Sequence, residues 1–259
     1  MELTERDILC EDGPVIAVNK PHGVIAQGAP RGVDSLVDMV KRYLARVYQK
    51  PGNVYLGIPH RIDRPVSGVM VFSRNSKCAA RLSEQFAQRQ VTKIYWAVLE
   101  RPPEHPSGEL VDWIYRIPDQ SRVEISSESN PEAKRSHLTY QTLAVSKGKA
   151  LVEITLGTGR MHQIRIQFGS RGCPIVGDEQ YGSRTAFPGF SGADRTESPI
   201  ALHARQLTIL HPIRYEPLPI QAPIPRVWKR LGFSADLKIP TVGDGHGGNL
   251  PPPRETGSA

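Results

Sequence analysis

The sequence has few cysteines and no long apolar run, and both absences limit what the protein can be. Its three cysteines, Cys10, Cys78 and Cys173, are odd in number and widely separated among 259 residues. They indicate neither a disulfide framework nor a CxxC metal or redox site. No apolar segment approaches the roughly 20 residues of a membrane span, and the N-terminus lacks a signal peptide's apolar core. We therefore expect a protein of a reducing compartment, located in the cytoplasm and not in a membrane.

The histidines do not indicate a metal site either. His22, His60, His162 and His203 stand beside other polar residues, but their separations fit no compact zinc pattern and no cysteine pair accompanies them. We expect no bound metal.

Basic residues, by contrast, are in excess. Lysine and arginine number 33 against 26 acidic residues, for a formal net charge of +7, and 23 of the 33 are arginine. The planar guanidinium of arginine binds two phosphate oxygens at once. Many proteins that never bind nucleic acid share a modest basic excess, so the composition favours a phosphate-rich partner without identifying it.

The hydrophobic periodicity predicts an α+β fold with a mixed, largely antiparallel central sheet and flanking helices. Strand patterns are rich in β-branched and aromatic residues, helical patterns repeat every three to four residues, and a short helix is possible after the glycines at 157 and 159. The predicted strands are 15–18, 69–72, 93–99, 111–115, 138–145 and 150–156, and the predicted helices are 34–48, 76–88 and 161–168.

The length and the composition favour one domain. We assign residues 1–238 to a single catalytic domain, in which 183–198 form a long surface loop, and 239–259 to a flexible tail rich in glycine and proline. No internal repeat is evident.

One aspartate, Asp63, is surrounded by basic residues in the sequence. In His60-Arg61-Ile62-Asp63-Arg64, Asp63 lies between two arginines, close to a histidine, and just before an apolar run. Neighbouring guanidiniums stabilise the anionic form of an aspartate, which suits a catalytic carboxylate. The alternative is a turn aspartate that binds backbone amides, and the stretch alone does not decide between the two.

Three segments together carry a family resemblance. They are 60–63 followed by Ser67-Gly68, 93–97 (Lys-Ile-Tyr-Trp-Ala), and 159–165 (Gly-Arg-Met-His-Gln-Ile-Arg). Shorter matches at 19–21, 177–182 and 202–204 occur in the same order. From about residue 8 to 232 the chain resembles the RluA-type RNA pseudouridine synthases. The segment before it is too short for the S4-like RNA-binding domain that many relatives carry, so we expect that domain to be absent.

The resemblance implies an isomerase that converts uridine to pseudouridine in RNA. The reaction breaks the bond between N1 and C1′, rotates the uracil and rejoins it through C5, and needs no cofactor. Asp63 matches the essential carboxylate of the family, Arg165 its basic partner, and Tyr95 the tyrosine that stacks on uracil. The alternatives are a phosphate-binding or surface arginine at 165 and a core aromatic of a strand at 95, which periodicity allows equally. Whether the carboxylate attacks C1′ or removes a sugar proton to give a glycal stays open.

The resemblance also suggests residues that bind the RNA. Arg61 matches a residue that fills space near the extruded nucleotide, although it could equally bind a phosphate. Leu202 matches an apolar wall of the uracil pocket, or is simply a core residue. His60 and His162 are expected to position the loops around Asp63 and Arg165. Contacts to the RNA backbone, or ordinary solvated charges, are expected at Lys20, Arg64, Lys93 and Arg160.

Two other functions compete with this one. A module that binds or folds RNA could keep the groove but lack catalysis, and the presence of Asp63, Tyr95 and Arg165 argues against it. A glycosidase would need a second catalytic carboxylate, which the three main motifs do not supply. The expected partner is structured RNA, either ribosomal or transfer RNA, and we expect a monomer.

Overall fold

A computed structural model of the protein describes residues 2–190 and 198–234. The expected tail and residues 191–197 of the expected loop lie outside this range. Ten strands occur in the described part: β1 (Ile8–Asp12), β2 (Val15–Lys20), β3 (Ser67–Ser73), β4 (Thr92–Leu99), β5 (Ser107–Arg116), β6 (Val123–Ser126), β7 (Lys134–Ser146), β8 (Lys149–Leu156), β9 (Leu202–Leu210) and β10 (Pro217–Gln221). The α-helices are α1 (Leu36–Val47), α2 (Ser76–Ala87) and α3 (Gln163–Gly169), and short 3-10 helices span Glu5–Asp7, Glu179–Tyr181 and Arg226–Leu231.

All ten strands belong to one sheet. Their order is β1-β2-β3-β9-β4-β8-β7-β5-β6, and β10 also pairs with β9. Every neighbouring pair in this order is antiparallel except β3 and β9, which run parallel over two residue pairs, Ser67 with His203 and Gly68 with Ala204. The predicted mixed, largely antiparallel sheet is therefore confirmed. The parallel contact joins a small half, β1 to β3, to a large half that begins at β9.

The first two helices cover opposite faces of the small half. Alternate residues of β2 and β3 point to opposite sides, as expected for strands. One side packs on α1, with Leu36, Val40, Val18 and Phe72 among its buried residues. The other side packs on Leu82 of α2. Both faces of this half are thus buried.

Local side chains fix where these helices begin. Ser35 and Asp38 exchange hydrogen bonds in a capping box, since the Ser35 hydroxyl accepts from the Asp38 N–H and the Asp38 carboxylate accepts from the Ser35 N–H. Asn75 Oδ1 accepts from the N–H of Cys78 at the start of α2.

The segment that leads to Asp63 covers the free part of the β3 edge. Beyond Gly68 this edge has no strand partner from β9, and Gly57 instead exchanges two backbone hydrogen bonds with Ser73. The N–H of Val71 donates to His60 Nε2 at 3.0 Å. The chain is therefore held against β3 until three residues before Asp63.

Gly68 lies where the two halves meet and has no room for a side chain. Its φ is +116°, and a Cβ atom would lie 2.3 Å from the Ala204 oxygen and 2.6 Å from the Ala204 nitrogen. These obstacles belong to the backbone of a central strand, so they cannot move without breaking the contact between the halves.

We expect Gly68→Ala to lower the free energy of unfolding by more than about 3 kcal/mol, because it adds a backbone clash to an unfavourable φ. Gly148→Ala is the matched control, since Gly148 has a φ of +72° but nothing within 4 Å of the added carbon. It should cost about 1 kcal/mol. Urea unfolding of both variants measures the difference, and equal losses would contradict the role of the clash.

Candidate active site

The two halves of the sheet form the walls of a cavity of about 480 Å³. The small half contributes the loop before β3, and the large half contributes β4, the start of α3 and the start of β9. Nine of the residues selected from the sequence line this cavity: His60, Arg61, Asp63, Lys93, Tyr95, Arg160, His162, Arg165 and Leu202. Lys20 and Arg64 are not among its lining residues.

Two nitrogen atoms face the Asp63 carboxylate. His162 Nε2 lies 3.7 Å and Arg165 Nη1 lies 4.0 Å from the same oxygen, Oδ2. The Asp63 side chain remains 36% exposed, whereas the Arg165 side chain is 6% exposed. A buried guanidinium and a buried imidazole thus approach one oxygen of a carboxylate that opens into the cavity.

Arg165 has a closer partner than Asp63. Its Nε and Nη2 donate to the two oxygens of Asp178 at 2.7 and 2.8 Å, and Nη2 also donates to Gln180. Burial disfavours the cation, but the hydrogen bonds and charge of Asp178 outweigh burial and raise the pKa of Arg165. The expected pairing with Asp63 is therefore secondary, because a buried guanidinium requires close, bidentate compensation.

His162 is oriented from behind by a tyrosine. The chain at His162 is left-handed, with a φ of 51°, and His162 Nδ1 lies 2.8 Å from the Tyr181 hydroxyl. That hydroxyl accepts the N–H of Val123, so we assign its own proton to the bond with Nδ1. Burial lowers the pKa of His162, and the neutral ring then carries its proton on Nε2, toward Asp63.

His60 is held in one orientation. It accepts the Val71 N–H and stacks on Phe86, with ring centroids 4.5 Å apart and planes inclined by 10°. Burial, with a smaller effect from Lys93, lowers the pKa of His60 to about 3. The ring is therefore neutral, as its accepting role requires.

Tyr95 and Leu202 belong to the large half. Tyr95 on β4 pairs with Ala204 of β9 just after an irregularity in the register, and Leu202 begins β9 opposite Ala97. Burial, and then the charge of Asp63, raise the pKa of the Tyr95 hydroxyl, so it is protonated at neutral pH. Both side chains line the cavity.

Lys20 needs correction as an expected RNA contact. It is fully buried, and its ammonium donates to the carbonyl oxygens of Pro21, Arg64 and Val66 at 2.8 to 3.0 Å. Burial lowers its pKa to about 7, against the opposing effect of Asp63. An ammonium with three donors and three carbonyl partners has no free proton for a phosphate. Lys20 therefore joins the turn after β2 to the residues that follow Asp63.

Arg64 has a similar structural contact. Its Nε donates to the carbonyl of Gly23, and the N–H of Gly23 donates back to the carbonyl of Arg64. These two bonds attach the turn after β2 to the loop that carries Asp63. Of the other expected RNA contacts, Arg61 and Arg160 are exposed at the cavity and Lys93 is half-buried there.

Three residues at the site were not given roles from the sequence. Asp178 and Tyr181 occur in a motif quoted above, but only the fold shows that they lie behind Arg165 and His162. Arg89, at the end of α2, lines the cavity and carried no recognisable signal. Within residues 2–190 and 198–234, no group of three potential metal ligands occurs and no helix is long and apolar enough to cross a membrane.

Comparison with known proteins identifies the family. The model of the family described as RNA pseudouridylate synthase matches residues 14–170, more than half of the chain. The chain belongs to that family. This pseudouridine synthase is 33% identical to an uncharacterised RNA pseudouridine synthase of Zymomonas mobilis, over 90% of this chain and all of that one. It is 34% identical to ribosomal large subunit pseudouridine synthase D of Xylella fastidiosa, over 85% of this chain and 66% of that one.

A solved structure agrees with the sequence comparison. Human RNA pseudouridylate synthase domain containing 4 superposes with a TM-score of 0.71 at 26% identity, covering 88% of this chain and 93% of the human one. The resemblance to RluA-type synthases and the expected pseudouridine synthase fold are confirmed. The enzyme is an isomerase of this family.

We expect Asp178→Asn to lower the free energy of unfolding by about 3–5 kcal/mol, because it leaves the buried Arg165 cation without its close partner. Asp34→Asn is the control, since Asp34 pairs with Arg42 at the surface and both side chains are almost half exposed. That loss should be much smaller, because water solvates both partners of an exposed pair. Chemical denaturation at pH 7 distinguishes the two, and similar losses would contradict the importance of the buried pair.

Acid should destabilise the enzyme through His60. The unfolded chain binds a proton below pH 6.5, whereas folded His60 stays neutral down to about pH 3. Its contribution is complete above pH 6.5 and declines as the pH falls, by about 1.4 kcal/mol per unit. We expect His60→Gln, whose amide oxygen can still accept the Val71 N–H, to reduce this slope between pH 6 and 4. The measurement is the free energy of unfolding in urea at several pH values in that range. If wild type and His60→Gln lose stability equally with falling pH, His60 does not contribute.

Proposed function

We propose that this protein isomerises specific uridines in structured RNA, with Asp63 as the essential carboxylate. The observation that carries the proposal is the placement of Asp63: partly exposed in a cavity, within 4.0 Å of Arg165 and His162, with Tyr95 lining the same cavity. These groups come from separate segments of the chain, and their convergence matches the needs of one reaction.

The shortest contacts of His162 and Arg165 with Asp63 are both to Oδ2, and among the described residues no hydrogen bond to Oδ1 occurs. Oδ1 is therefore the oxygen available to the sugar. It either bonds to C1′ as N1 leaves or removes a sugar proton to give a glycal. When C5 joins C1′, the bond to Asp63 breaks or the proton returns to the sugar, so both routes regenerate the carboxylate. The C5 hydrogen is then released to water, and N1 takes up a proton. The detached uracil stays in the cavity between these steps.

The cavity suits one extruded nucleotide. Its volume of about 480 Å³ lies within the range of small-molecule sites, and it has apolar walls as well as charged ones. Stacking of a base on an aromatic ring contributes roughly 1–3 kcal/mol, which offsets the few kcal/mol needed to extrude a nucleotide. Tyr95 supplies the ring, and Leu202, Val66 and Ile164 supply apolar contacts.

The substrate that we propose is ribosomal or transfer RNA. The Xylella fastidiosa relative is named for the large ribosomal subunit, which supports a ribosomal substrate. Arg61, Lys93 and Arg160 at the cavity can bind backbone phosphates, and Arg61 can fill the space left by the extruded base. The free thiols of Cys10, Cys78 and Cys173 support a cytoplasmic location. We propose that the enzyme acts as a monomer.

Asp63→Asn should abolish isomerisation, because an amide can act neither as nucleophile nor as base. The substrate is total RNA labelled with tritium at C5 of uridine, taken from cells that lack the gene, and the measurement is tritium release. We expect a loss well above tenfold, or more than about 1.4 kcal/mol of barrier. Asp119→Asn, at an exposed turn, is the control and should behave as wild type.

Two other results would indicate a different function. A wild type that releases no tritium from this RNA would indicate a binding module without catalysis, and free uracil as product would indicate a glycosidase. Mapping pseudouridine in ribosomal and transfer RNA from cells with and without the gene identifies the modified uridine.

A further inference from the structure

Arg89 occupies a backbone position that normally favours glycine. Helix α2 ends in a Schellman motif, in which the N–H of Gln90 donates to the carbonyl of Gln85 and the N–H of Arg89 to that of Phe86. In this motif the first residue after the C-cap adopts the left-handed conformation. Arg89 is that residue, and its φ is 59°. This conformation is unfavourable for a residue with a side chain. The local fold alone therefore does not explain an arginine here.

The position of the side chain supplies an explanation. Arg89 is exposed and lines the cavity that contains Asp63. It lies close enough to Lys93 that its charge, after burial, lowers the pKa of the Lys93 ammonium. Lys93 in turn lies against the backbone of Gly159, where an added Cβ would be 3.1 Å from Nζ. Two cations from different elements thus line the same cavity.

These cations lack acidic partners. In the described part of the chain neither Arg89 nor Lys93 forms an ion pair, and Asp63 is the single carboxylate among the lining residues. Two like charges in proximity repel each other, so their placement is unfavourable unless an anion lies between them. The anion must also be accessible from solvent, as the exposure of Arg89 allows.

We propose that Arg89 is a further substrate-binding residue, which together with Lys93 binds the backbone phosphate next to the uridine that enters the cavity. This inference rests on the proposed function and deepens it. A phosphate held at the mouth would fix the sugar of the extruded nucleotide in relation to Asp63. It would also make the enzyme favour uridine within a chain over free uridine.

The test uses four variants and the tritium-labelled RNA described above. Arg89→Gln removes the charge, Arg89→Lys keeps it, and Arg89→Gly relieves the backbone. Arg101→Gln is the matched control, because Arg101 is exposed and follows the opposite end of β4 from Lys93. The measurements are KM and kcat for tritium release, RNA affinity against salt concentration, and the melting temperature.

We expect Arg89→Gln to raise KM roughly 5- to 20-fold and to reduce the salt slope by about one. Its kcat should change less than about twofold, since the contact exists before and during the reaction. Arg89→Lys should retain most of the affinity, and Arg101→Gln should match wild type. Arg89→Gly should melt at or above the wild-type temperature yet bind RNA as weakly as Arg89→Gln, a combination that a structural role cannot produce.

Other results would overturn the inference. Equal losses in Arg89→Gln and Arg101→Gln would mean a diffuse electrostatic effect, and wild-type affinity in Arg89→Gln would mean no contact. Low millimolar inorganic phosphate at constant ionic strength should not displace RNA. If it does so from wild type but not from Arg89→Gln, the site binds a small free anion instead. Should wild type release no tritium, the proposed isomerase function fails, while the affinity and salt measurements still decide the role of Arg89.

Discussion

The site depends on a short parallel contact between two backbones. Gly68 and Ala204 meet so closely that no side chain fits between them, and only two residue pairs join β3 to β9. Asp63 is attached to one side of this contact, and Tyr95, Arg165 and Leu202 are attached to the other. The distance between the carboxylate and the remaining groups is therefore set by the place where β3 and β9 touch.

Around this contact, each buried charge has a dedicated partner. Lys20 is satisfied by three carbonyls, and Arg165 by the carboxylate of Asp178. The neutral imidazoles of His60 and His162 are each oriented by one hydrogen bond. Because these partners already compensate the charges of Lys20 and Arg165, neither cation forms a close ion pair with Asp63. The interior thus holds Arg165 and His162 in place and leaves the carboxylate open to the cavity.

Periodicity predicted the strands and helices with strong patterns, because alternation and helical repeats are local properties. The strand from 202 to 210 was not predicted. It reads Leu-His-Ala-Arg-Gln-Leu-Thr-Ile-Leu, and its polar residues at 203, 205 and 206 interrupt the apolar alternation. It is nevertheless central, since its buried His203 binds Ser67 at 2.8 Å across the parallel contact. Such a partner, 136 residues away, leaves no local pattern.

The identity of the candidate catalytic residues could be predicted from the sequence, but their burial and their distances from one another could not. The resemblance predicted Asp63, Tyr95 and Arg165 as catalytic residues, and all three line one cavity. It could not show that Lys20 is buried, because a lysine in a turn motif reads the same whether it faces solvent or carbonyls. Nor could it show that Asp178 is nearer to Arg165 than Asp63 is, since that depends on how the chain after α3 folds back.

The narrowness of the β3–β9 contact has a mechanical consequence. Two residue pairs provide little resistance to bending, whereas the neighbouring antiparallel strand pairs extend over six to eight residue pairs. The sheet is therefore most compliant along the line that also passes through the cavity. A polynucleotide that contacts both walls spans this line and restrains the relative motion of the two halves. The reacting groups are therefore best aligned when the substrate is bound.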